Sequence, residues 1–355
     1  MLGISQVSRK NYIDFTKGIA ILAVVVGHLV GFGGPVFTWI FAFHMPAFFL
    51  VQGFMQKETL PPFIEFLKKK VVRLLVAGWI FRLVRHVIIP AAQGELVLTA
   101  KNCAAIIFWN PSKEWFLPVM FWVSIGMYVY ILLRNKVNND SIFAFISVFF
   151  IAAINLCSSV YMNVYGLHDN PYIPFKLDSA ALAMSFSIIG YWIKKTAVLD
   201  FCVNSYQALS SKSARIAVLV GLLGSYTFLA FGNRIESYIN MAENDIGNNV
   251  LAYYAAGTLM FLILMTIGLT IRKENIFVRW VYLFGRHSMM IYLGHGLINT
   301  AIIEAVKFLT DGQTVLVPMI NLTYIWIAAF FVITVLVMTA ICLTSEKLAA
   351  SKTNK

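Results

Sequence analysis

Apolar stretches of about 20 residues, the length that carries a helix across a bilayer, recur along the chain with charges gathered between them. Residues 18–55 form a stretch without Asp, Glu, Lys or Arg, enough for two spans. Gly33-Gly34-Pro35 near its middle is a turn signal. The pattern predicts helices over 18–33, 37–55, 72–90, 115–133, 141–161, 177–193, 214–232, 248–271, 284–306 and 318–343. Arg82 and Arg85 interrupt the third, and the short apolar segment 96–110 reads as interfacial or re-entrant. The expectation is an all-α, polytopic integral membrane protein of about ten transmembrane helices, a single membrane domain over 1–355 with no internal repeat and no separate soluble domain.

Charge orients this arrangement. With the N-terminus inside, 20 of the 28 Lys and Arg fall on inner segments and 7 on outer ones, Arg286 lying within the ninth span. Such a bias predicts both termini in the cytoplasm. Composition agrees that lipid is the main solvent. The chain is 59% hydrophobic, with mean hydropathy +0.77 and 12% charged residues, about half the roughly 25% of a soluble domain. The formal charge of +12 would point to nucleic acid in a soluble protein. Between apolar runs it reads as topology and attraction to anionic membrane lipid, so no nucleic-acid partner is expected. Four cysteines lie far apart without a C-x-x-C, so neither a metal site nor a redox pair is signalled.

An ionisable residue inside a span is a functional candidate by default. His28 lies eleven residues after Lys17, a rise of about 16 Å on a helix. Lys17 then sits near the inner headgroups and His28 near the bilayer middle. A histidine in a cavity suits proton transfer or acyl acceptance; the structural alternative is a hydrogen bond to a neighbouring helix. His44 and Pro46 occur in Phe43-His44-Met45-Pro46, followed by Gln52-Gly53. A proline-kinked second span beside His28 can shape a pocket, or simply pack. Lys70 and Arg73 fall on one face of a helix, suited to an anionic group such as a nucleotide phosphate, or to anchoring on the inner leaflet. Arg286, Ser288, Tyr292 and His295 lie in the ninth span, and the last three recur at three- and four-residue steps, so they share a face.

These residues carry a resemblance. Tyr12-Ile13-Asp14-Phe15-Thr16-Lys17-Gly18 through Gly27-His28, then Phe43-His44-Met45-Pro46-Ala47-Phe48-Phe49, resemble the opening of the acyltransferase family 3 membrane proteins. Lys17 and His28 fit that family's basic-residue, ten-spacer, histidine motif, and Lys70-x-x-Arg73 looks like its paired-basic motif. Trp115 to Pro118, Phe186 to Gly190 and Gly285 to His295 look like later landmarks, so the similarity runs from about residue 9 to 343. Lys17 and Lys70 stand where arginine is common, and Gln52 where serine is usual. Lysine keeps the charge but loses the bidentate fork.

The resemblance implies a multi-pass enzyme of the bacterial cytoplasmic (inner) membrane, in a sugar O-acetylase-like branch. It would move an acetyl group from acetyl-CoA, a substrate and not a resident cofactor, onto a hydroxyl of a surface polysaccharide or its lipid-linked precursor. Lys17, Lys70 and Arg73 would meet the donor's phosphates. His28 would act as base or acyl acceptor, with His44, Tyr292 and His295 as further candidate catalytic groups and Arg286 as another candidate oxyanion donor. No metal is required. The alternative is a multi-pass transporter or flippase for a polysaccharide precursor or an anionic solute, and the oligomeric state is open, a homo-oligomer included.

Overall fold

The computed structural model describes residues 8–30, 34–92, 99–108, 115–137, 139–165, 174–233, 239–244, 246–247, 249–309 and 324–353. Gly33 of the expected turn lies outside them, as do the first residues of the expected last span. The described residues are predominantly helical, with no strand among them.

In chain order the helices are α1 (Ser8–Gly27), α2 (Pro35–Phe41), α3 (His44–Phe54), α4 (Phe63–Lys70), α5 (Ala77–Leu83), α6 (Ile89–Ala92), α7 (Ala100–Phe108), α8 (Phe116–Arg134), α9 (Asp140–Tyr165) and α10 (Leu177–Lys195). They continue with α11 (Val198–Ala208), α12 (Lys212–Gly232), α13 (Val250–Thr270), α14 (Ile276–Arg286), α15 (Ser288–Leu309) and α16 (Tyr324–Thr353). Wide π turns at Val71–Val76 and Val84–Ile88 join α4, α5 and α6.

Among the described residues, seven helical segments are long and apolar enough to cross a membrane: Pro35–Phe54, Phe63–Ala91, Phe116–Arg134, Asp140–Cys157, Lys212–Gly232, Val250–Thr270 and Ile327–Ser351. The protein is thus a multi-pass membrane protein. Of the remaining three expected spans, 177–193 lies within α10, the first is described as α1 as far as Gly27, and 284–306 is divided between α14 and α15.

Two boundaries depart from expectation in ways that matter below. Helix α1 begins at Ser8 and ends at Gly27, because charged residues near a terminus bound the apolar run without stopping the helix. The run from Phe284 to His295 is not one helix: α14 closes at Arg286, His287 forms a break, and α15 starts at Ser288.

The chain divides into two compact units. The first comprises residues 1–48, 198–239 and 247–355. Here α1 packs against α13, α14 and α15. Close approach to α14 needs two glycines: a Cβ on Gly18 would strike the carbonyl of Val281, and one on Gly285 the carbonyl of Asp14. Small residues that let backbones meet are the usual means of holding helices together in lipid. Helices α15 and α16 are tied by a buried hydrogen bond, Thr334 Oγ1 donating to Asn299 Oδ1 at 2.7 Å.

The second unit comprises residues 49–197 and 240–246. Helices α3 and α10 approach closely where Gly53 meets the Ser187 carbonyl and Gly190 the Leu50 carbonyl. Tyr130, Ser147 and Trp192 form a polar knot joining α8, α9 and α10, with Tyr130 Oη to Ser147 Oγ at 2.6 Å and the Trp192 indole donating to Tyr130 at 2.9 Å. Arg82, whose place inside a span is costly, is 1% exposed and donates Nε to the Ile106 carbonyl at 3.1 Å. Trp79 donates to the next carbonyl, Ile107, at 3.0 Å. Together they satisfy carbonyls in the last turn of α7, where a cation is also favoured by the helix dipole.

The loop between α3 and α4 is held by Glu58. Its Oε1 accepts from Lys195 Nζ at 2.8 Å and Tyr191 Oη at 3.1 Å, while its main-chain carbonyl accepts from Asn135 at 3.0 Å. The hydrogen bond from Lys195 holds the Glu58 carboxyl below the usual carboxylate range. A depressed acid contributes stability above its unfolded pKa and loses it as pH falls through the folded one. Glu58→Gln is therefore expected to lower thermal stability at neutral pH and to match wild type once Glu58 is protonated. Glu58 is half-exposed, so the difference is at most about 1 kcal/mol. Equal melting at neutral pH would show that the clamp adds nothing.

Candidate active site

The site assembles in the first unit, on one face of α1. Eleven residues at 100° each bring His28 within about 20° of Lys17 around the helix axis. The register survives the end of the helix, since the His28 amide still donates to the Val24 carbonyl at 3.1 Å. His28 therefore stands at the carbonyl end of α1 rather than in mid-helix, and is exposed.

Helix α15 supplies the partner. Its Ser288, Tyr292 and His295 follow one another around one face, as the sequence spacing predicts. His28 Nδ1 lies 2.7 Å from His295 Nε2, across 267 positions of sequence. The two rings are nearly parallel, at 9°, with centroids 4.9 Å apart. His295 is 6% exposed, and its Nδ1 lies 3.0 Å from the carbonyl of Ile291 one turn earlier. Tyr292 is buried beside it, ring centroid 6.2 Å from that of His295. The structure thus brings together three of the four candidate catalytic residues.

His44, the fourth, is 3% exposed. Its Nδ1 bonds the Ile40 carbonyl at 2.8 Å and its ring meets Phe41 edge-on at 4.6 Å. Phe41 in turn lies against Gly27, the residue before His28. His44 is thus separated from His28 by Phe41 and Gly27.

Near the middle of α1, Lys17 pairs with Asp14 at 2.8 Å. The Asp14 carbonyl abuts Gly285 at the end of α14, where Arg286 gives Nε and Nη2 to Glu346 Oε1 at 3.1 and 2.9 Å. His287 Nε2 reaches the same oxygen at 3.2 Å. Arg286 thus belongs to a different helix from Tyr292 and His295, and its guanidinium engages a carboxylate. Sequence reading passed over Glu346; the signal was an acidic residue directly after an apolar run, beside Lys347.

Lys70 and Arg73 belong to the second unit. Lys70 is half-buried with Nζ 5.5 Å from the centre of the Phe66 ring, and Arg73 is exposed on the π turn that follows. Gln52, also in that unit, donates to Ser124 Oγ at 3.1 Å.

The far face of α1 is different in kind. Ile19, Val26, Trp39, Phe43, Leu223 and Met260 line an apolar recess of about 360 Å³. Ile19 and Val26 lie roughly half a turn around α1 from His28, so the polar and apolar sides of the helix are separate.

A polytopic helical protein with a hydrogen-bonded imidazole pair at the end of its first long helix, on one face with a lysine, has the parts of a membrane transferase. A family profile described as an acyltransferase domain matches residues 10–345, nearly the whole chain, and the protein belongs to that family. No curated protein and no solved structure matches it.

Proposed function

We propose that this membrane acyltransferase takes acetyl from acetyl-CoA and places it on a hydroxyl of a surface polysaccharide or its lipid-linked precursor, in a bacterial cytoplasmic membrane. The observation that supports this reading most is the His28–His295 contact within a member of the acyltransferase family. Acyl transfer to a hydroxyl needs a base that holds the proton only briefly. In this reading His28 removes the hydroxyl proton as the oxygen attacks the thioester carbonyl. The tetrahedral intermediate collapses, the C–S bond breaks, and the leaving thiolate takes the proton back from His28. The products are an ester and free thiol. In the same reading Tyr292, whose ring neighbours that of His295, donates to the oxyanion. Lys17 in the first unit, and Lys70 and Arg73 in the second, are the candidate cations for the donor's phosphates.

Purified full-length protein supplied with radiolabelled acetyl-CoA and polysaccharide from cells lacking it is the direct test. Label on the polysaccharide as a base-labile ester is expected. Absence of label and of thiol release, with the protein folded, would overturn the reading in favour of a transporter or flippase.

A further inference from the structure

The tautomer of His28 can be read from its neighbours. The Ile291 carbonyl can only accept, so the His295 nitrogen facing it at 3.0 Å, Nδ1, carries a proton. In a neutral ring the other nitrogen is then an acceptor. His295 Nε2 faces His28 Nδ1 at 2.7 Å, so His28 must donate from Nδ1. Its Nε2 consequently holds the ring's lone pair. The opposite arrangement needs a doubly protonated His295, a charge on a side chain 6% exposed, at a heavy desolvation cost.

We propose that His295 is a positioning residue which, through the chain Ile291 carbonyl, His295, His28, locks His28 in the tautomer whose Nε2 accepts the proton of the sugar hydroxyl. This rests on the acyltransfer reading above and adds the division of labour within the pair. His28 alone touches the reacting atoms. His295 fixes which nitrogen is basic and in which direction the ring points. When His28 becomes an imidazolium, its Nδ1–H faces a lone pair, so the cation is solvated inside the protein without rearrangement. The second ring is neither the base nor the oxyanion donor, because both its nitrogens are already engaged.

The test separates tautomer from turnover. Full-length protein with ¹⁵N-labelled histidine, assigned by comparison with His28→Ala, is expected to show His28 protonated at Nδ1 alone at neutral pH. His295→Leu removes the acceptor; it is expected to mix the tautomers and to lower kcat by about 10²-fold or more, with acetyl-CoA affinity unchanged. His295→Gln, whose side-chain oxygen can reach the place of Nε2, is expected to restore the His28 tautomer and part of kcat. A His28 found protonated at Nε2, or a His295→Leu protein with wild-type kcat, overturns the proposal. If His28→Ala retains turnover, the acyltransfer role of His28 fails instead, while the tautomer measurement still decides the contact. Should His295→Leu not fold, the glutamine variant and the wild-type spectrum carry the decision.

Discussion

Replacing His28 with alanine is expected to lower acetyl-CoA-dependent turnover by about 10²- to 10⁴-fold, the usual contribution of a positioned base, while the protein folds and binds donor normally. Both halves of that expectation follow from position. His28 is exposed and lies in the turn after α1, so its removal opens no cavity in the core. Its hydrogen bond to His295 is lost, which leaves a buried nitrogen to find water, a cost of about 1–3 kcal/mol that a protein of this size can absorb. The measurement is thiol release by purified enzyme, with acetyl-CoA affinity measured separately. Wild-type turnover would remove His28 from the chemistry. Loss of turnover together with loss of donor binding would mean that the imidazole serves the donor site instead.

The second large effect is expected from a residue that carries no functional group. Gly285→Val sets a branched side chain against the main-chain carbonyl of Asp14. Neither partner is a flexible tip, so α14 and α1 must separate. Overpacking in a tight core costs about 1–3 kcal/mol, and a clash with backbone belongs at the upper end. The same displacement shifts α1, and with it the 2.7 Å contact between His28 and His295. Stability and turnover should therefore fall together, although the Gly285 contact at Asp14 is remote from His28 along α1. Melting temperature and kcat measured on the same preparation check this. A stable, fully active Gly285→Val protein would show that the two helices have slack at this point.

Much of this was legible in the sequence because lipid imposes a simple grammar. Apolar runs of bilayer length mark helices, and α8, α12 and α13 lie within a few residues of 115–133, 214–232 and 248–271. The eleven-residue step from Lys17 to His28 and the periodic Tyr292 and His295 identified two helix faces correctly, since helical spacing is local. Their meeting is not local: no pattern in the chain says that position 28 touches position 295. The break at His287 was also hidden, because hydropathy does not sense a single residue outside helical geometry. For the same reason Arg286 was grouped with residues of another helix. Helix α11 and the greater part of α14 were missed as helices because they lie outside the bilayer-length runs used to find them. Arg82 resisted reading because its partner is a main-chain carbonyl, which has no sequence signature.

Glu346 gives the last helix an influence beyond its own packing. One carboxylate oxygen grips Arg286, which ends α14, and His287, at which the chain breaks before α15 begins. The height at which α15 starts decides where its second turn stands, and that turn bears His295. The tail of the chain thus acts as a shim under the imidazole pair, so that the final apolar segment belongs as much to the reaction frame as to the anchor in the bilayer.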